Sequence, residues 1–207
     1  AQVTAIETAD LAKLTVEQVA AISTAALVGL TTAQTVALSA DQLGALTTAQ
    51  AAALSTANVV ALTTAQVDKL TAGQVAALTT TQVKSIEAED VAKLTVDQVT
   101  ALSTAQVAAL TTAQAAVITS AQVGAMSTAQ VAALVTADLA AMSTTAVAAL
   151  SSSQAAALTT AQVVGLTTAQ AAVLTDAAVG ALSTAEAAAM RTADLAALST
   201  SAVQALT

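Results

Sequence analysis

Large apolar side chains recur in this chain every eight residues. Leu102, Leu110, Ile118, Met126 and Leu134 stand eight apart, and Gln106, Gln114, Gln122 and Gln130 keep step four places behind them. Counted from Ile6, residues 6–205 divide into 25 octads with no insertion or deletion. Position 1 is Leu in 18 octads and otherwise Ile or Met, while position 6 is Val in 14 and mostly Leu or Ala elsewhere. Position 2 is Ser or Thr in 21 and position 5 is Gln in 15, so the consensus reads L-[ST]-T-A-Q-V-A-A.

Neither regular structure tolerates that period. In a continuous α-helix, eight residues turn the side-chain direction by about 800°, which displaces an apolar stripe by about 80° per octad. The Leu residues would wind around the whole helix. In a strand, positions 1 and 6 differ by an odd number and face opposite sides, and the abundance of Ala also disfavours strands. Each octad must therefore contain a break. Ser or Thr at position 2 followed by Gln at position 5, as in Ser103–Gln106 or Thr111–Gln114, is a capping box that starts a new helix. The spacing predicts a helix of about six residues per octad, with position 6 and the next position 1 three apart and so on one face.

Helices this short are unstable alone, so they must stack as a solenoid. The expected fold is all-α: about 25 very short helices, one per octad, in a single continuous array over residues 1–207 with a Leu/Val core. Roughly four octads per coil are expected, because a triangle of six-residue helices leaves little room for both Leu and Val; three is the alternative. At a helix spacing near 8–9 Å, four per coil makes a rod on the order of 55 Å long, and three nearer 75 Å.

Four octads break the pattern together. Position 2 lacks Ser or Thr only at Glu7, Glu87, Val135 and Arg191, and position 5 is Asp only at Asp10, Asp90, Asp138 and Asp194, in those same octads. One expectation is that the cap moves by one residue, to Thr8, Thr136 or Thr192, with Asp favouring the helix N-terminus. The octad IEAEDVAK, residues 86–93, has no hydroxyl at all. Duplication of one variant octad explains the pattern equally well.

Composition removes most chemistry. The chain has no Cys, His, Pro, Trp, Tyr or Phe, hence no imidazole base, thiol nucleophile, soft metal ligand or aromatic platform. A formal charge of −8 with five basic side chains repels a phosphate backbone, so no nucleic-acid partner is expected. No apolar run reaches the roughly 18 residues of a membrane span, and AQVTAIETAD at the start shows no signal-peptide pattern.

Glu87, Glu89, Asp90, Asp97 and Lys93 form the densest charge cluster. A weak divalent-cation site is one reading; helix-terminal acids with an Asp90–Lys93 pair are the reading preferred. Without a Ser-x-x-Lys motif, Lys13, Lys69, Lys84 and Lys93 activate no serine. Met126, Met142 and Met190 occupy the Leu position and read as core, and Gly44, Gly124 and Gly180 at position 7 read as crowded or relaxed backbone. The expected catalytic, metal and cofactor-binding residues are none, and no cofactor or small-molecule substrate is expected.

The pattern L-[ST]-x-x-Q-V-x-A-L resembles the short helical tandem arrays of large, repetitive bacterial secreted and cell-surface proteins, over the whole chain. That resemblance implies a spacer, stalk or fibre outside the cell. The array opens at Ala1, position 4 of an octad, and closes at Thr207, position 2, with no polar capping module. The chain is then expected to be a window on a longer array, or to stack head to tail into filaments with itself as partner. A structural, non-enzymatic role follows. The alternatives are a scaffold for another protein and, less favoured, an ice- or surface-binding Thr array.

Overall fold

The computed structural model describes residues 5–206. Among them stand 25 helices of four to six residues and no strand, one helix in every octad. The breaks fall where the capping boxes predict. Every Ser or Thr at position 2 is an N-cap whose hydroxyl accepts the N3 amide, as at Ser39, Thr71 and Ser127. The corner between two helices is extended: Leu38 has φ −64° and ψ 136°, and Ser39 has φ −67° and ψ 159°. No described residue takes a positive φ, so the corner needs neither glycine nor proline and repeats with ordinary side chains.

By their contacts the residues form two compact units, Ala1–Leu102 and Ser103–Thr207. Within each, a helix packs on the one three places before it. In the first unit α4 (Thr32–Ala37) returns over α1 (Thr8–Leu11), and α5 (Ala40–Gly44) over α2 (Val16–Ala20). In the second, α17 (Thr136–Ala141) lies over α14 (Thr112–Ala116), and α25 (Thr200–Ala205) over α22 (Asp176–Gly180). A coil therefore holds three octads, and the preference for four is corrected. The triangle has room because its sides are longer than the helices alone. About six helical residues add about 9 Å, and the two extended corner residues add about 6 Å more.

Positions 1 and 6 line the core as expected, with Leu11, Leu27, Leu43 and Leu139 at 0% exposure and Met126, Met142 and Met190 buried beside the leucines. Each coil presents these two positions on opposite sides. In the coil of α1, α2 and α3 (Thr24–Leu27), position 6 is buried while Ile6, Leu14 and Ile22 of position 1 are only half-buried. In the coil of α23 (Thr184–Ala189), α24 (Thr192–Ala197) and α25, Met190 and Leu198 of position 1 are buried. There Leu195 of position 6 is half-buried and Val203 is exposed. Close approach is extreme at one glycine: a Cβ on Gly165 would lie 2.1 Å from the Thr136 methyl carbon. The ends of the array at Ala1 and Thr207 lie outside the described residues.

Candidate functional site

Position 5 does two jobs, of which the sequence predicts one. Every Gln at this position completes its capping box, its side-chain oxygen accepting the amide of the N-cap residue, as from Thr71 to Gln74 at 2.6 Å. A capping box spends only the oxygen of the amide. The Gln74 side chain is almost fully buried, and its Nε2 donates to the carbonyls of Leu43 (2.9 Å), Gly44 (3.2 Å) and Leu46 (2.6 Å). Leu43 and Gly44 end α5, and Leu46 lies in the corner beyond it.

One side chain thus starts its own helix and satisfies the carbonyls left over at the end of a helix in the coil below. The same bond runs from Gln42 to Leu14, Gln66 to Leu38, Gln98 to Leu70, Gln162 to Leu134 and Gln170 to Met142. Asn58 reaches Leu30 in the same way at 3.1 Å. The signal for this clamp was present in the sequence: an N3 glutamine on a buried face carries a donor that the capping box leaves unused.

The four variant octads lack the amide clamp, and the cap does not shift. Their helices still begin at position 3, with Glu7, Glu87, Val135 and Arg191 as N-caps of extended backbone that make no side-chain cap bond. Thr8, Thr136 and Thr192 lie inside the helices instead. Aspartate has the length of Asn58, which does reach down, but no N–H to donate, so in two of these octads a hydroxyl reaches up. Thr112 of α14 donates to Asp138 at 2.9 Å, and Thr168 of α21 (Thr168–Ala171) donates to Asp194 at 2.8 Å.

In α24 a second group joins. The Arg191 guanidinium grips Asp194 through Nε at 2.7 Å and Nη2 at 2.9 Å, and Nη2 also donates to the Leu166 carbonyl, the group a clamp glutamine would have served. Burial pushes the Asp194 carboxyl up, but the hydrogen bonds from Arg191 and Thr168 and the Arg191 charge outweigh it and hold the pKa below the ordinary value. The hydrogen bond it donates to Asp194 raises the Arg191 pKa in turn, against its own desolvation.

The octad of α11 (Ala88–Val91) is the exception. α11 lies over α8 (Thr64–Lys69), and an open cleft of about 570 Å³ lies there, lined by Leu62, Thr63, Thr64, Glu87, Glu89 and Asp90. Glu87, Glu89 and Asp90 are brought together there. Asp97 lies on α12 (Val96–Ala101), outside that lining. The expected Asp90–Lys93 pair does not form: among the described residues the ion pairs are Lys13–Asp10 at 3.1 Å and Arg191–Asp194 at 2.7 Å. Lys93 extends into solvent, where an isolated surface pair would contribute little. Among the described residues no group of three or more potential metal ligands has the geometry to hold an ion, and no helix is long and apolar enough to cross a membrane.

These features define a short-helix solenoid whose coils are tied by buried side-chain amides. The chain belongs to the ALTTAQ repeat family, which matches residues 3–40, 52–80, 83–120, 104–136 and 131–168 in tandem. No curated protein and no solved structure matches the chain.

Proposed function

We propose that this chain is a structural, non-catalytic repeat array that serves as a stiff spacer or fibre segment and lengthens by adding coils. The observation that carries the reading is the complementarity of a coil's two sides. Position 1 residues such as Ile6, Leu14 and Ile22 are offered on one side, and position 6 residues such as Leu195 and Val203 on the other. Inside each unit those same positions are buried where helices three apart pack on each other. A second copy, or a further stretch of the same array, can therefore continue the stack by the contacts that build it, and open head-to-tail stacking of this kind yields filaments. A location outside the cell, on a bacterial surface, follows from the resemblance of the octads to repetitive surface arrays.

Electron microscopy of the isolated protein at rising concentration tests the stacking. Filaments of uniform width are expected. Discrete particles of one length at every concentration would remove self-assembly and leave a spacer.

A scaffold reading gains one observation from the three-octad coil. Charges that look scattered along the sequence gather on one stack of the first unit: the octads of α2, α5, α8 and α11 hold Glu17, Asp41, Asp68, Glu87, Glu89 and Asp90 against Lys69 and Lys93, an acidic excess. Such a stack presents an acidic face to a basic partner.

A further inference from the structure

The cleft over α8 is lined by groups that ask for a cation. In the other stacked octads of the first unit from Gln34 to Gln98, position 5 is Gln or Asn and serves as donor to a carbonyl 28 residues back. The carbonyl in that place below Asp90 is that of Leu62. A carboxylate cannot donate to it. Leu62 accepts no hydrogen bond from the described residues, and both groups line the cleft.

Asp90 is itself unpartnered. It is 5% exposed, and its side chain makes no hydrogen bond or ion pair. Since no fully buried side-chain oxygen lacks a partner, its oxygens open into the cleft. The threonine that would close it is present: Thr64 stands 26 residues before Asp90, as Thr112 does before Asp138 and Thr168 before Asp194. Thr64 makes no such bond, and Glu87 brings a further negative charge to the rim where α24 carries Arg191.

The molecule shows elsewhere what fills this arrangement. In α24 a guanidinium sits between the position-5 carboxylate and the carbonyl below, bonded to both. In α11 the carboxylate and the carbonyl are present and the guanidinium is replaced by Glu87. We propose that the cleft between α8 and α11 binds the guanidinium of an arginine side chain presented by a partner protein, held between Asp90 and the Leu62 carbonyl with Glu87 and Glu89 at the rim. A planar fork of N–H donors suits a carboxylate beside a carbonyl, where a compact ammonium does not span both. Lys93 in the same octad leaves Asp90 unpaired, and the carboxylates do not converge on a metal geometry. The single arginine among the 207 residues is engaged in its own octad, so the guanidinium comes from outside them.

The test is an NMR titration of the isotope-labelled 207-residue protein with N-methylguanidinium, methylammonium and calcium chloride in turn, at constant ionic strength. Methylguanidinium is expected to give saturable, low-millimolar shifts confined to the amides of Leu62, Thr63, Thr64 and residues 87–90, with methylammonium clearly weaker. Glu87→Arg should abolish those shifts and raise the melting temperature, because it supplies the missing group internally. Asp90→Asn should keep the fold, as Asn58 does at the same octad position, and weaken binding about tenfold. Shifts that never saturate and spread to Glu17 and Asp41 would overturn the site. So would a stronger response to calcium, or undiminished binding by both variants.

Discussion

The two units repeat the same octad but tie their coils together differently. Of the chain's charged residues, Ala1–Leu102 holds nine acids and four lysines, while Ser103–Thr207 holds four acids and one arginine. In the first unit the amide clamp runs through Gln34, Gln42, Gln50, Asn58, Gln66, Gln74, Gln82 and Gln98, missing only at Asp90. In the second, Gln154, Gln162 and Gln170 clamp, and beyond them position 5 becomes Ala178, Glu186, Asp194 and Ala202. There the ties change in kind. Arg191 and Thr168 serve Asp194, and Ser199 and Ser201 of the last octad donate to Asp176 of α22 at 3.2 and 3.0 Å. The lesson is that the octad needs a helix, a corner and two apolar side chains, while the bond between coils is interchangeable.

If only the ties differ, the cores should not. Leu43→Ala in the first unit and Leu139→Ala in the second, both at 0% exposure, should each cost about 3 kcal/mol in urea denaturation. A gap of more than about 2.5 kcal/mol between them would break the comparison, since it would exceed the scatter that buried Leu→Ala changes show by themselves.

The clamp comes next in size. Gln74→Ala strands the Gly44 and Leu46 carbonyls and the Thr71 amide, while the Leu43 carbonyl keeps its bond from the Leu46 amide, and should cost about 2–3 kcal/mol. Hydrogen exchange should show the opening confined to the coils it joined. Uniform loss of protection would mean that the clamp is not a local tie.

The ionic tie is smaller, because the Arg191 side chain is half exposed. Arg191→Leu should lower stability by less than Gln74→Ala does, because solvent screens an exposed guanidinium. It should also reverse a pH dependence. With its folded pKa depressed, Asp194 contributes stability that is fully present above its unfolded pKa, about 3.9. That contribution is lost as pH falls through the lower folded value. Without the guanidinium, burial dominates and raises the carboxyl, so the variant should instead gain relative stability on acidification from about pH 6 to 4. Matching pH profiles for both proteins would show that Arg191 does not govern Asp194.

The smallest effect is a gain. Glu186 completes a capping box with Ser183 but has no donor for the carbonyl of Leu158, which stands 28 residues earlier. Glu186→Gln should restore the clamp and add about 1 kcal/mol. No change would show that this carbonyl is already satisfied by solvent.

Much of this was legible in local order. The hydroxyl at position 2 and the glutamine at position 5 located the helix starts, because capping is decided within four residues. The apolar pair at positions 6 and 1 named the core, down to Met126, Met142 and Met190. The expectation of shifted caps at Thr8, Thr136 and Thr192 went wrong because it sought a local reason where Asp138 and Asp194 find partners in another coil. The acids Glu87, Glu89 and Asp90 stood out in the sequence. That they share a cleft with Leu62 and Thr64 did not, since those residues are neighbours only once a coil has closed.

What the sequence determined by itself was therefore the unit: one capped helix and one extended corner per eight residues, with two side chains facing inward. What only the tertiary structure decided was how many units close a coil, which stack gathers the charges, and which side chain bonds to which carbonyl. The physical reason is the regularity itself. Every octad offers nearly the same groups to its neighbours, so contacts between octads three apart and four apart are written with the same letters. Only the three-dimensional closure of the triangle selects three.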